Sequence, residues 1–528
     1  MPAFEHSPLR HRPYRWFYFG AVGTALGFTM VVTMSAWLMA SLTPAAWMVA
    51  LVQTAATLPT LLFGLFAGAL ADIVDRRRVI LVSQFVLLLT TLGLGGITLL
   101  GLIQPVTLLL LTFIVGAGFA FYMPAQMASV NELVEPKEVS RAVALGAVAF
   151  NVSRAIGPAL AGGIASLYGS GSALLAGGAF FSLMIIGMHG WSLPPRSPLG
   201  VPETLLAGVK SGLRFARHSS AIRALIVRTL VFSICASALW ALLPVIARDQ
   251  LGMSAAGYGA MFGMFGSGAV VSAFIMPKLL NRYPLNTVVT GYVLLWIVAT
   301  LVVAASHIVF VAMIGSFAAG GAWVGVLASL GAGTQSAAPG WVRARAVSLG
   351  LLAVQASLAI GSAMWGALAS ITGTQVACAV SALLLMILHL ANRASVVKLG
   401  SEAETTSFAS LPDLAIAVEP LPDDGPVLVQ IEYFIEPERQ AEFFIEVQTI
   451  EPTRRRNGAS DWRIFRDLST PGRFVERFVI TSWAEYIRSR LRMTIADRRL
   501  QEKVMKMNRD QKPVRVSRLI GIDPRTGH

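Results

Sequence analysis

Arg154 is the residue whose setting could do the most chemistry. It stands twelve positions into an apolar run over 142–165. In a membrane-spanning helix it would lie near the bilayer centre, where a charge costs about 2.5 to 3.5 kcal/mol on insertion scales. Its side chain must therefore face a protein interior, a cavity or a partner. Two readings stay open: a cation that draws an anionic or polar substrate into a central cavity, or a structural group bonded to helix carbonyls or a polar neighbour. Trp37, Tyr122, Gln126, Asn151, Trp240, Trp323 and Gln355 are further cavity candidates in the apolar runs. Each such residue type is more often packing or an interfacial anchor than a ligand. Aromatic and amide groups around one cation would suit a bulky, partly polar organic molecule.

The acidic residues inform by where they are missing. None of the apolar runs contains Asp or Glu, whereas proton-driven carriers usually hold an intramembrane carboxylate or histidine. His189 and His389 fall near run ends and His307 in a loop. Proton carriage would have to use Asp72 or Glu132 at helix ends, or a proton on the substrate itself. No Gly-Lys-Ser/Thr phosphate loop is present, which argues against a nucleotide-driven pump. Cys235 and Cys378 lie in apolar runs without metal-ligand spacing, so neither a metal nor a cofactor is expected.

The elements that must position these groups are helices in lipid. The chain has 528 residues, of which 55% are hydrophobic and 13% charged; soluble domains carry about 25% charged residues. A span needs roughly 20 apolar residues. Twelve such stretches are expected at 16–40, 46–70, 79–101, 106–130, 142–165, 172–192, 225–247, 257–279, 286–305, 308–331, 346–370 and 374–392. The net charge of +14 is spread over short inter-span segments, a topology signal rather than a nucleic-acid footprint. Alternate loops carry Arg10, Arg12, Arg15, Arg76, Arg77, Arg78, Lys137, Arg141, Arg196, Lys210, Arg214, Arg217, Arg223, Lys278, Arg282, Arg343, Arg345, Arg393 and Lys398, and the opposite loops only Arg248. The bias predicts both termini in the cytoplasm, and no cleavable signal peptide is expected.

The predicted division is a six-helix half at 1–192, a cytoplasmic central loop at 193–224, a second six-helix half at 225–392, a linker at 393–425 and a soluble domain at 426–520. The halves are related. Residues 141–166 read RAVALGAVAFNVSRAIGPALAGGIAS and residues 345–370 read RAVSLGLLAVQASLAIGSAMWGALAS, a gapless match at an offset of 204. Spans five and eleven are then pseudo-equivalent, and internal repeats of this kind place substrate near the midplane between them. Arg154 corresponds to Leu358, so its role is asymmetric.

Two motifs carry a family resemblance. Gly68-Ala-Leu-Ala-Asp72-Ile-Val-Asp75-Arg76-Arg77-Arg78 follows span two, with Gly68 suited to close helix approach and Asp72 to pairing or capping at the helix end. It resembles the signature of the major facilitator superfamily, except that Asp75 stands where that pattern has a second Gly. In span five, Gly157-Pro158 followed by Gly162-Gly163 is similar to the Gly-Pro signature of drug and solute antiporters, with one extra residue of spacing. The chain as a whole resembles the transmembrane secretion effector branch of that superfamily, whose relatives include the enterobactin exporter. The resemblance implies a fold of twelve helices in two pseudo-repeats. It also implies a cytoplasmic gate at Gly68, Asp72, Asp75 and Arg76 to Arg78, and hinge or packing roles for Gly157, Pro158, Gly162 and Gly163. The implied activity is bacterial inner-membrane export of siderophores, drugs or metabolites, with proton coupling as the family default.

From Pro426 the composition is that of a soluble domain. Val427–Tyr433 alternates as a half-buried strand. A helix over 438–455, strands over 460–465 and 473–480, a helix over 483–508 and a strand over 514–520 complete a β-α-β-β-α-β order, an α+β ferredoxin-like fold. The order, with Trp462, Phe474 and Trp483, resembles dimeric α/β-barrel domains of the antibiotic-biosynthesis monooxygenase type. That implies a homodimer through the sheets and a dimerising or regulatory module; no catalytic set stands out. The expected partners are thus lipid, a small molecule, protons and a second copy, with no nucleic acid. The alternatives are an uptake carrier or sensor of the same fold, or a carrier fused to an active oxygenase.

Overall fold

The computed structural model describes residues 7–135, 137–188, 205–392, 406, 420–509 and 513–522. Among them are twelve helices long and apolar enough to cross a membrane. They are Arg12–Leu42, Ala46–Ile73, Arg76–Leu99, Pro105–Leu133, Val139–Tyr168 and Ser170–Gly187, then Ser220–Val245, Ala255–Arg282, Leu285–Ala305, Val309–Ala337, Gly340–Thr372 and Thr374–Ala391. We number these spans one to twelve. They overrun the expected runs mainly at the arginine-rich ends: span eleven starts at Gly340 rather than 346, and span seven at Ser220 rather than 225. Hydropathy marks the hydrocarbon core, and the helices continue past it. The segment 193–224, expected as loop, contains a further helix, Leu205–His218. Most of the expected linker at 393–425 lies outside the described residues.

The repeat survives in the backbone. Gly169 alone joins spans five and six with φ +85°, and Gly373 alone joins spans eleven and twelve with φ +89°. A turn this abrupt needs a left-handed residue, which only glycine adopts without strain. The two glycines sit at the same offset as the sequence match.

The chain forms two compact units, one of residues 1–200, 228–330 and 350–396, the other of 201–227, 331–349 and 397–528. In the first, spans five and eight pack backbone to backbone. A Cβ on Gly259 would lie 2.5 Å from the Pro158 carbonyl, and one on Gly162 2.5 Å from the Ala255 carbonyl. Without a hydrophobic drive in lipid, such close approach is a main source of helix association. Gly68 and Gly163, read from sequence as close-packing glycines, have no such neighbour: a Cβ on either would meet nothing within 4 Å. The close-approach reading is corrected for these two. Thr54 Oγ1 of span two donates to the Ala359 carbonyl of span eleven at 2.8 Å, a second seam between the halves.

In the second unit the strands Val427–Phe434 (β1), Ser460–Arg466 (β2), Arg473–Ile480 (β3) and Arg515–Ile520 (β4) form one antiparallel sheet in the order β2-β3-β1-β4. This fits the expected α+β arrangement. Val427, Val429, Ile431 and Tyr433 of β1 and Phe474, Phe478 and Ile480 of β3 face the core. Both expected long helices are broken. The first is a short 3-10 turn, then Gln440–Gln448 and Glu451–Arg456, because Pro452 in the first turn of the latter has no N–H to continue the former. The second splits into Trp483–Leu491 and Ile495–Met505. There Thr494 and Asp497 form a reciprocal capping box, which starts a new helix.

Glu476 of β3 sits wholly buried in this core, 0% exposed. Its carboxylate accepts from Arg454 at 2.9 Å, Tyr433 Oη at 2.9 Å and Trp462 Nε1 at 3.0 Å. Desolvation alone would raise its pKa, but the Arg454 guanidinium and these donors hold it below its ordinary 4.5. The same unit fastens helix Leu205–His218. Arg214 pairs with Glu485 at 2.7 Å, and Phe215 meets Trp341 edge to face at 5.5 Å. Arg456 lies over the Phe215 ring and Arg492 over Trp341, at 5.6 and 4.6 Å.

Glu476→Ala should destabilise the second unit by about 3 to 5 kcal/mol, the usual cost of orphaning a buried charge. Denaturant unfolding of the full chain, followed by tryptophan emission, would measure it. The wild-type contribution of Glu476 should be complete above pH 4.5 and fall away on acidification, because a carboxylate with a depressed folded pKa loses its advantage as it protonates.

Candidate functional site

Span five carries Arg154 to the junction of the halves. Its Cζ lies 5.0 Å from the ring of Trp240 on span seven and 5.9 Å from Phe150, one turn back on its own helix. A guanidinium over an aromatic face is worth about 2 kcal/mol or more once desolvated, of the order of the burial cost. Trp240 packs edgewise on Phe262 (5.3 Å), Phe265 (4.8 Å) and Trp323 of span ten (5.3 Å). Tyr258 stacks on Trp37 of span one at 5.6 Å and touches Phe262 at 5.7 Å. The aromatic chain thus runs from span one to span ten with one cation on its face.

One polar atom of this site, Trp240 Nε1, is buried with no hydrogen-bond partner. An unpaired buried donor costs about 1 to 3 kcal/mol. A bound group that accepts a hydrogen bond would relieve it, and a negative charge would also answer Arg154.

The structure brings together four of the eight cavity candidates: Trp37, Arg154, Trp240 and Trp323. Tyr122 instead packs with Phe119 at 5.9 Å, in a cluster with Tyr14, Phe17 and Met184. Asn151 Nδ2 bonds back to the Ala147 carbonyl of its own helix at 2.9 Å. Gln126 and Gln355 are half-buried on spans four and eleven. Tyr258, Phe262, Phe265 and Trp296, which meets Trp323 at 5.8 Å, are cluster residues that sequence reasoning missed. The signal was available, since Tyr258, Phe262 and Phe265 stand at i, i+4 and i+7 on one helical face.

At the arginine-rich end, Arg76 Nη1 holds Glu132 at 2.5 Å and the Ala128 carbonyl at 2.9 Å, while its Nε reaches the Ala71 carbonyl at 3.2 Å. It ties the last turns of spans two and four together. Asp75 caps span three through the Arg77 amide at 2.9 Å. Arg77 Nε is buried without a partner. Arg78 is exposed, 4.0 Å from Asp75. The Asp72 side chain lies outside the described residues. Glu138, nearly buried, receives Arg10 at 3.0 Å and His11 at 2.8 Å. At the other end, Arg248 donates to the Ala40 carbonyl, joining span seven to span one. Arg228 of span seven is buried and bridges span nine and the end of span twelve through Asn286 at 2.5 Å and the Asn392 carbonyl at 3.3 Å.

A family model described as transmembrane secretion effector matches residues 3–526. The chain belongs to that family. Similar curated proteins include the multidrug efflux pump Tap of Mycolicibacterium fortuitum, 31% identical over 228 residues, 40% of this chain and 54% of the relative. The staphyloferrin A transporter of Staphylococcus aureus is 23% identical over 250 residues, 46% of this chain and 62% of the relative. The aligned stretch thus spans little more than half the length of either. Among solved structures, a bacterial homolog of the human lysosomal transporter Spinster, inward-facing and unoccupied, superposes with a TM-score of 0.60 at 15% identity, covering 74% of this chain and 99% of its own. The nucleoside transporter NupG gives 0.59 at 13%, covering 72% and 98%. This likeness shows the major facilitator fold of the secretion effector chain.

Arg76→Ala should cost about 2 to 3 kcal/mol, since charge-assisted bonds to part-buried groups are lost. Arg78→Ala should stay within about 0.5 kcal/mol, as exposed substitutions do. Thermal unfolding of the two variants in the same detergent checks the difference; equal shifts would refute a clamp role for Arg76.

Proposed function

We propose that this secretion effector chain is a secondary active transporter that exports small organic molecules across the bacterial inner membrane by alternating access. The single observation behind this reading is the Arg154–Trp240 contact at the junction of the halves, with an unsatisfied indole N–H in the same contact. It suits a partly polar substrate that carries negative charge, with aromatic walls for an apolar body. The printed functions of the relatives, multidrug efflux and staphyloferrin A transport, are consistent with export of drugs or siderophores.

The arginine-rich loops are taken as cytoplasmic by the positive-inside bias, which puts both termini inside. The Arg248–Ala40 and Gly259–Pro158 seams then close the outer side, as in an inward-facing carrier. Arg76 with Glu132 is the gate-side clamp, Pro158 and Gly162 with Gly259 are the packing seam on which the halves rock, and Gly157 packs span five against Thr29 of span one within its own half. Because Glu132 is engaged by Arg76, we assign no span carboxylate to proton carriage; the driving proton gradient would act through the substrate or Asp72. The C-terminal domain is read as a regulatory or dimerising module, pairing with a second copy through its outward sheet face, and not as an oxygenase.

Inverted membrane vesicles expressing the chain should accumulate a carboxylate-bearing siderophore when a pH gradient is imposed. Arg154→Leu should cut that uptake at least tenfold while leaving an uncharged dye largely unaffected. Undiminished siderophore transport by Arg154→Leu would sink the cavity role, and accumulation without any gradient would sink secondary export.

A further inference from the structure

The C-terminal domain holds a cavity of its own, between the inner face of the sheet and the helices above it. Its volume is ≈ 80 Å³. One water needs about 10 to 15 Å³ on this measure, so the space admits several waters or a small organic molecule. Val429, Ile431 and Phe478 form an apolar floor, and three arginines, 454, 490 and 518, reach the walls.

The charges do not balance. Arg454 is neutralised by Glu476 at 2.9 Å. Among the described residues, Arg490 and Arg518 have no carboxylate at ion-pair distance. Arg518 Nε donates instead to the Tyr486 hydroxyl at 2.6 Å. Arg490 Nε is buried without any hydrogen-bond partner, and so is Oδ1 of Asn457, which lines the same cavity. Desolvation lowers the Arg490 pKa first; Tyr486 opposes that, while Arg454 and Arg518 lower it further. Water could satisfy the orphaned atoms, but it leaves two part-buried cations facing each other. Buried charges are ordinarily paired, and no described residue supplies a carboxylate to Arg490 or Arg518.

We propose that this cavity binds a small organic anion. Its carboxylate sits between Arg490 and Arg518, its apolar or aromatic body lies on Ile431 and Phe478, and a hydroxyl donates to Asn457. The position carries a consequence. Helix Trp483–Leu491 contributes Tyr486 and Arg490 to the cavity and, one residue earlier, Glu485 to the pair with Arg214. An occupied cavity therefore loads the same helix that fastens Leu205–His218.

Salicylate supplies all three features, and salicylamide lacks only the charge. Calorimetric titration of the full-length protein in detergent should show saturable binding of salicylate at one site per chain and none of salicylamide at matched concentration. Arg490→Met should weaken salicylate at least tenfold. Without salicylate its thermal midpoint should be unchanged or higher, because an unpaired cation has been removed. Arg490→Gln, which keeps length and polarity, should repeat the loss if Arg490→Met misfolds. The proposal is overturned if salicylate does not bind, if salicylamide binds as well, or if both variants bind salicylate as the wild type does. It is also overturned if binding persists in those variants but vanishes in Arg154→Leu, which would place the site in the transmembrane cluster.

Discussion

A guanidinium at the depth of Arg154 has to find its stabilisation in side chains, because lipid offers none. The face of Trp240 supplies it, and much of the bundle is arranged so that this face is available. Spans five and seven belong to different halves, so the contact exists only while the halves meet. The glycine seam of spans five and eight brings them that close. Phe262, Phe265 and Trp323 then hold the indole from behind. Charge placement, backbone packing and aromatic stacking are thus one constraint seen at three scales.

The soluble domain meets the same problem with different means. Arg454 is buried against a carboxylate inside a fully bonded knot, while Arg456 and Arg492 lie over the rings of Phe215 and Trp341. Carboxylates fix geometry tightly and titrate with pH. Ring faces tolerate sliding and are indifferent to pH. The core of the domain and the surfaces that hold helix Leu205–His218 both combine the two devices: Arg454 also lies over Phe478 at 5.0 Å, Arg456 also pairs with Asp497, and Glu485 takes both Arg214 and Arg492 at 2.7 Å.

How much of this was legible in the sequence follows from how local each signal is. Span number and the strand order rest on periodicity and composition, which are local, and both were readable. The 204-residue repeat was readable because its residues align without gaps. The helix Leu205–His218 was not, because its sequence is amphipathic rather than apolar and it follows a proline-rich stretch. The break at Thr494 hid inside a charged run, although Thr494 and Asp497 already had capping-box spacing. Within the candidate site, Arg154 announced itself by its cost, whereas Tyr122 and Trp240 looked alike. Which aromatic side chain faces the cation is a question of helix rotation, and no single-helix pattern answers it.

The mismatch of Arg154 with Leu358 across the repeat has its own meaning. A duplicated segment begins with the same residue in both copies. The span-five copy keeps a charge on the face of Trp240, while the span-eleven copy carries the buried Leu358. Like charges 4 Å apart repel by about 4 kcal/mol at an effective dielectric of 20, so a single cation is the arrangement of lower electrostatic cost. A two-fold architecture thus has a one-fold electrostatic centre.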